Sequence, residues 1–448
     1  MSEKPLTLIS CERGDSNFAQ KRFLITQPMI QGLNGSTMVC LELAEFLQRQ
    51  GCIVSVYTYF YDSPARDFFN AKNINVKAFA DEPGFHLVDF DYIWVHSQVL
   101  PVSIVRELAQ ELPEKLPSFI FLHMSKFDWI PDEQPYIWEM EEKISAQSLA
   151  ISREIIEETK NHYSKNFQLK LFPNTAPVAF SESTHIPRKD LQRILIASNH
   201  PPEEIVAMRE ILAARGVETT LLGETGEEYK VITPDFLAKF DVVVTIGKTV
   251  QYCLAMNVPV YIYDWFGGGG YLSEKNFAEA LGSNFSGRDC PTRKDPESLV
   301  DDIISQYVAA VKYQTENRAQ FVSDFSIDQA LPRTLTNIEP REIERFNIKY
   351  MNMVLNCQRL SQQRFEFGSH LWNRDHEMRK LREEAERRNE KFREVSDLNE
   401  KLYREVKELQ DSEALKIGRL ILKPASLMKR GIRKLFRIIR DNKETSQK

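Results

Sequence analysis

The chain has 448 residues, enough for roughly two to three domains. A hydrophobic fraction of 42% with 27% charged residues fits a core-forming protein and excludes a disordered or fibrous chain. The net charge of −6 argues against general nucleic-acid binding, and with no run of about 18 apolar residues no membrane-spanning helix is expected.

The N-terminus, MSEKPLTLIS, has no long apolar stretch, so no signal peptide is expected. The cysteines Cys11, Cys40, Cys52, Cys253, Cys290 and Cys357 are scattered and form no CxxC pair. This pattern predicts buried thiols in a reducing cytosol rather than disulfides or zinc.

Chain order then gives an alternation. Phe23–Thr26 reads as a strand, followed by a loop of small residues containing Gly32, Asn34, Gly35 and Ser36. Met38–Gln50 is an amphipathic helix, with Val39, Leu43, Phe46 and Leu47 near a 3.6 period, and Gly51 ends it. Ile53–Phe60 is rich in β-branched and aromatic residues and reads as the next strand. Further strands are predicted at Tyr92–Val95, Phe119–Leu122 and Leu149–Ile151, with a helix over Ser103–Glu111. Ser181–Asp190 reads as a linker, after which the pattern restarts. Arg193–Ala197 and Val217–Leu222 are strands, and Pro202–Arg215 and Pro234–Lys239 are helices. The fold class is therefore α/β, with two tandem Rossmann-like domains over residues 1–180 and 190–335. Ligands in such sheets bind beyond the C-terminal strand ends, and two facing halves would make a cleft.

Asp241–Leu272 is the densest stretch. A strand feeds Gly247, Lys248 and Thr249 into a helix start, leaving free N–H groups and a positive dipole end that suit a phosphate or diphosphate. Lys248 would add a mobile charge, Thr249 would cap the helix and Gln251 would be a polar neighbour. A second strand, Val258–Tyr263, leads to Gly267, Gly268, Gly269 and Gly270, which would let the backbone pass close to a ligand. The alternative is a βαβ unit whose glycines only turn corners. Ser198, Asn199 and His200 follow one predicted strand and Gly223 another, where such folds place ligands.

Residues 336–370 read as a helical connection. Over 371–411, Leu371, Met378, Leu381, Ala385, Phe392, Val395, Leu402, Val406 and Leu409 fall on a four-three spacing, with Arg374, Arg388 and Asn399 at the remaining positions. This predicts a C-terminal coiled coil with Asn399 at an a position; a single solvated helix is the alternative. Residues 412–448 form a basic amphipathic tail. Leu415–Arg440 contains no Asp or Glu but nine Lys and Arg, interleaved with aliphatic residues and split by Pro424. It predicts binding to an anionic membrane surface at the inner face of the cell membrane, with a nucleic-acid patch or docking on the protein as alternatives.

These motifs together resemble the GT-B glycosyltransferases, most like family-4-like members of bacterial polysaccharide biosynthesis. The Gly32–Ser36 loop followed by LELAEFLQRQGCIVSVYT is similar to their N-terminal glycine-rich loop, helix and strand. The LFPN run, Leu171–Asn174, resembles the turn closing their first domain, and LAMNVPVYIYD resembles their "A-x-G-v-P-V" signature, with Asn257 where glycine is usual. The resemblance implies a nucleotide-sugar donor held by the second domain and a polysaccharide or lipid-linked acceptor held by the first, with no further cofactor. The family's paired glutamates align with Val244 and Tyr252, and the Arg and Lys that neutralise its diphosphate are missing; Lys248 is expected to substitute.

An inverting transfer also needs a base. His123, directly after a strand, is the expected choice, with Asp128 second and His96 third; each could equally be a satisfied structural group. Asp89-Phe90-Asp91 has a D-x-D spacing but precedes a strand far from the phosphate signals, so it is read as a loop and no metal is expected. A non-catalytic glycan-binding or assembly protein on the same scaffold is the rival from another class, and a nucleotide-sugar epimerase the enzymatic one. The coiled coil predicts a homo-oligomer.

Overall fold

The computed structural model describes residues 18–437, apart from residues 82–83, 127–132, 134–136, 337, 339, 415, 418–427 and 435–436. It divides into two units, residues 1–369 and residues 370–448.

The first unit holds two sheets. The strands of the first are β1 (Arg22–Ile30), β2 (Ile53–Tyr61), β3 (Asn75–Ala78), β4 (Tyr92–His96), β5 (Ser118–His123), β6 (Ser145–Ala150) and β7 (Lys170–Leu171). They run in the order β3-β2-β1-β4-β5-β6-β7, all parallel. Alternate residues serve opposite faces, as the period of two requires. Phe23, Ile25, Val54, Val56, Trp94 and Ile120 pack on one side with the helix Gly35–Arg49. Leu24, Tyr57, Ile93, Val95, Phe119 and Phe121 pack on the other. Burial on both faces explains why these strands read as nearly continuous apolar runs.

The second sheet is built from β8 (Arg193–Ala197), β9 (Glu218–Leu222), β10 (Val242–Thr245), β11 (Val260–Asp264) and β12 (Gly267–Tyr271), in the order β12-β11-β10-β8-β9. It is parallel except for β12, which runs antiparallel along β11. The α/β reading holds, with two mostly parallel sheets in tandem. In each sheet the strand order reverses, between β1 and β4 in the first and between β8 and β10 in the second. That reversal is where a ligand crevice opens.

Three expectations need correction. Gly267–Gly270 is an edge strand, not a ligand loop. A Cβ on Gly267 would lie 2.5 Å from the Thr292 carbonyl oxygen, and one on Gly268 would lie 2.0 Å from that of Ile262. Glycine is required there because the protein's own backbone approaches. The helix Ile327–Leu335, placed in the second domain by sequence, buries Ile327, Leu331 and Leu335 in the first domain's core. Finally, the described residues from 338 to 347 are irregular, and a 64-residue helix, Ile348–Asp411, begins only afterwards. Its start, with Phe346 before it, adds Met351 and Val354 to the first domain's second face. Gln358 fixes it there, donating to the Gln98 carbonyl at 3.0 Å and accepting from the Leu100 N–H at 3.2 Å and from the Tyr59 hydroxyl.

The chain thus crosses between the domains twice, and the crossings are tied together. The Ala176 N–H donates to the Phe325 carbonyl at 2.6 Å, and the Ile327 N–H to the Ala176 carbonyl at 2.9 Å. In the second unit, Leu371, Met378, Leu381, Phe392, Val395, Leu402, Val406 and Leu409 of the long helix are exposed. Much of the basic tail lies outside the described residues; residues 428–434 are helical. No helix among the described residues is long and apolar enough to cross a membrane.

Candidate functional site

A cleft of about 840 Å³ opens between the two Rossmann-like domains. Its walls come from segments that leave the C-terminal ends of the strands, as the topology dictates. The first domain supplies Leu33–Ser36, Met38, Val39, Met124 and Ile151. The second supplies Ala197–His200, Leu222, Gly223, Tyr229–Ile232, Thr245–Thr249, Tyr252, Asp264–Phe266 and Asn284, and the crossing segment adds Asn174.

Two helix N-termini meet here. Asn34 caps the helix Gly35–Arg49: its Oδ1 accepts from the Thr37 N–H at 3.0 Å and from the Ser36 hydroxyl at 2.9 Å. Opposite stands the helix Lys248–Met256, whose cap is Gly247 at φ 61° without a side-chain cap bond, so Thr249 does not cap it. A Cβ on Gly35 would lie 3.4 Å from the Cβ of Lys248, which brings the two N-termini to one spot. Both dipoles favour negative charge there. Gly32 is not in the lining; it sits behind Leu33, whose N–H donates to the Tyr229 hydroxyl at 2.8 Å across the cleft.

The other predicted residues sort by position. Ser198, Asn199, His200 and Gly223 all line the cleft. Gly223 has φ 150°, and a Cβ there would be 1.9 Å from the Ser198 carbonyl oxygen, so glycine lets the β8 and β9 loops lie against each other. Gln251 is fully buried beneath the helix start, its amide 2.9 Å from the carbonyls of Gly247 and Lys248. It holds the turn and does not reach the cleft.

Lys248 departs from expectation most. Its ammonium is turned away from the cleft, 6% exposed, and donates to Glu42 Oε2 at 2.5 Å and to the Thr175 carbonyl. The Tyr252 hydroxyl donates to the other Glu42 oxygen, and its ring stacks on Phe180 with centroids 4.4 Å apart. Burial presses Glu42 up and Lys248 down, toward their neutral forms, and each charge opposes this in the other. The mobile cation predicted for a diphosphate is therefore a buried link between the domains. Tyr252 serves that link as well.

His123 is corrected as well. It is 1% exposed and absent from the cleft lining. Its Nδ1 lies 2.7 Å from Glu133 and its Nε2 2.9 Å from Glu141, which also accepts from Gln98 at 2.8 Å and from the Tyr163 hydroxyl at 2.9 Å. Burial alone would favour neutral imidazole, but the charges of Glu141 and Glu133 outweigh it and hold the ring at a pKa of about 10. A ring that keeps its proton at neutral pH is not a general base. His96 is fully buried against Gln27 at 3.1 Å and is pushed down to about 3 by burial, also off the cleft. Asp128 lies outside the described residues. Asp91 accepts the Arg22 backbone N–H and a Lys115 ammonium, each at 3.0 Å, and Asp89 the His86 N–H at 2.9 Å. Both belong to the loop before β4, as the sequence suggests.

Sequence reading missed Asp264, Trp265 and Phe266 at the end of β11, because the four glycines beyond them drew attention away. Asp264 is 8% exposed and accepts from the Ser198 hydroxyl at 3.0 and 3.1 Å and from the Trp265 N–H at 2.9 Å. Burial pushes its carboxyl up to about 6. An acidic residue at the C-terminal end of an apolar strand was the available signal. Asn174 and Asn284 were also missed; they bridge the domains through a hydrogen bond in which the Asn174 amide donates to Asn284 Oδ1 at 3.1 Å.

No protein-family model and no curated protein matches the chain. Solved structures do show likeness. Over 71% of this chain and all of the other, it is similar to Anabaena Alr3699/HepE, solved with UDP and glucose, at 12% identity and a TM-score of 0.44. A glycosyltransferase from Rickettsia africae is similar over 70% and 97% of the two chains, at 10% identity and a TM-score of 0.45. A Listeria monocytogenes protein described as a UDP-N-acetylglucosamine 2-epimerase is similar over 73% and 99%, at 13% identity and a TM-score of 0.40.

Proposed function

We propose that this protein is a glycosyltransferase of hexosyl or deoxyhexosyl type. It takes a sugar from a nucleotide-diphosphate donor and passes it to a polysaccharide or lipid-linked glycan acceptor at the cytoplasmic face of the membrane. One observation carries the reading: two helix N-termini, one from each Rossmann-like domain, converge on a cleft of about 840 Å³. A departing diphosphate is stabilised by fixed N–H groups and dipoles in this way. The second domain holds the donor through the Gly247–Thr249 turn and the Ser198–His200 loop, and the first domain's Leu33–Ser36 loop faces the acceptor.

The exposed heptad positions of the long helix pair with a second copy of the chain, with Asn399 fixing the register. The basic tail holds the protein at anionic lipid. Deleting residues 415–448 then abolishes co-sedimentation with anionic vesicles; persistent binding refutes the tail as anchor.

A second reading has its own support. No carboxylate or imidazole lines the cleft from the first domain among the described residues, and the Lys248 charge is taken by Glu42. A donor-binding scaffold without transfer activity fits those facts. Calorimetric titration with UDP, GDP, dTDP and CDP tests both. Saturable binding of one, with its sugar transferred from the matching nucleotide sugar to an added glycan acceptor and the nucleoside diphosphate released, supports the transferase. Binding without turnover supports the scaffold, and no binding refutes both.

A further inference from the structure

Asp264 is the one carboxylate in the described cleft lining that is more than nine-tenths buried. Among the described residues no Lys or Arg pairs with it; its hydrogen-bond partners are the Ser198 hydroxyl and the Trp265 N–H, and the exposed His200 is near enough to favour its charge without bonding it. An ionised carboxylate offers about four acceptor positions, so these two donors leave roughly half of them open. Withdrawing such a group from water costs stability unless charge or hydrogen bonds offset it. Asp264 lines the cleft, so a bound molecule there can supply the remaining donors.

The surroundings say which donors. Trp265 is 61% exposed and Phe266 42%, so two large aromatic faces stand beside the carboxylate. Arg293 lies 5.9 Å above the Trp265 ring and is held by Glu204 at 2.7 Å. A phosphate is repelled by Asp264 and suits the Gly247–Thr249 turn instead, at the end of the adjacent strand β10. A cationic ligand would suit Asp264 but not the two helix N-termini in the same cleft. A neutral ring with hydroxyls on its edge and an apolar face suits both Asp264 and Trp265.

We propose that Asp264 and Trp265 form a polyol subsite, in which Asp264 accepts hydroxyls of a sugar ring whose apolar face rests on Trp265. The ligand then lies with its phosphates at Gly247–Thr249 and its sugar ring at the end of β11. This rests on the nucleotide-sugar reading above. The shared chemistry is a pair of ring hydroxyls, supplied by the ribose or by the transferred sugar.

The test is calorimetry at neutral pH on wild type, Asp264→Asn and Trp265→Ala. The ligands are the nucleoside diphosphate that the wild type binds, its 2′,3′-dideoxy form, and the corresponding nucleotide sugar. Asparagine keeps the size of the side chain and an acceptor for Ser198, and Trp265 is exposed, so both variants should fold. If the ring is the ribose, Asp264→Asn weakens the diphosphate about tenfold or more, and the dideoxy form is similarly weak on the wild type. If it is the transferred sugar, the diphosphate is unchanged and the nucleotide sugar weakens about tenfold or more. In either case Trp265→Ala weakens the nucleotide sugar severalfold. Unchanged affinities in both variants overturn the subsite and leave the donor reading standing. A wild type that binds no nucleotide overturns both.

Discussion

The two walls of the cleft differ in kind. The first domain's wall carries no titratable side chain among its described lining residues, whereas the second domain's wall carries His200, Lys230 and Asp264, with the Lys248 ammonium taken by Glu42. The first domain is not short of charge. It keeps His123, Glu133, Glu141 and Glu42 buried, but spends them on its own loops and on the link to Lys248. One wall is therefore an uncharged, largely apolar surface around a helix N-terminus, and the other holds the groups able to discriminate a ligand. In both, a buried charge held in a direct ion pair is structural, and Asp264, buried without one, is the charge that faces the cleft.

The strongest way to break this contrast is His123→Leu. It leaves Glu133 and Glu141 buried without their cation and should cost about 3–5 kcal/mol in urea unfolding. Nucleotide affinity of the folded variant should stay unchanged; a selective loss of turnover at wild-type stability would return His123 to catalysis. The pH dependence has a fixed sign. The folded pKa of about 10 lies above the ordinary 6.5, so the wild-type contribution is complete below about pH 6.5 and fades as pH rises toward about 10. Glu42→Gln comes next. It strands the Lys248 ammonium between the domains and should also cost about 3 kcal/mol. Replacing the partners together, Glu42→Leu with Lys248→Met and Tyr252→Phe, should recover part of that loss, because the apolar groups need no solvation and no Tyr252 hydroxyl is stranded.

These two clusters also mark where sequence reading reaches its limit. The strands were legible because both faces of each sheet are buried, so β1, β2, β5 and β11 read as apolar runs. The helix start at Lys248 was legible from the glycine before it, though not its cap, whereas the first helix begins at Gly35 and not at Met38 because Asn34 caps it; the loops after β8 and β9 were legible from their place beyond strand ends. What a side chain meets at long range was not legible. Glu42 and Lys248 are 206 positions apart, and nothing local at Lys248 says that its charge is already matched. The same holds for His123, whose partners Glu133 and Glu141 follow it closely but give no helical or strand period that would aim them inward. The Gly267–Gly270 run misled because glycine serves close approach of any backbone, and here that backbone is the protein's own.

Asp264→Asn sharpens the contrast from the other wall, because an unmatched buried charge should weaken the fold where it serves a ligand. Raising the carboxyl from 3.8 to about 6 disfavours the ionised form in the folded state. The penalty is absent below about pH 3.8 and complete above about pH 6, with an upper limit of roughly 3 kcal/mol. The variant should melt above the wild type at neutral pH, and the gap should close as pH falls from about 6 to about 4. A wild type that melts higher at neutral pH would mean that the carboxylate is structural after all.

The smallest effect belongs to a matched charge near the surface. Arg288 of the second domain donates to Glu154 of the first at 2.6 and 3.1 Å, and Lys126 donates to the same carboxylate at 2.5 Å. With both cations present Glu154 stays below its usual range, since their hydrogen bonds and charges outweigh partial burial. Arg288→Gln removes one cation and leaves the other, so no charge is stranded. The pair is about a quarter exposed on the Arg288 side, where solvent screening keeps such bridges near 1 kcal/mol or less. Urea unfolding should therefore shift only slightly, in clear separation from Glu42→Gln, although both replacements sever a link between the same two domains. Equal losses from the two variants would show that the number of interdomain links, and not the burial of an unmatched charge, sets stability here.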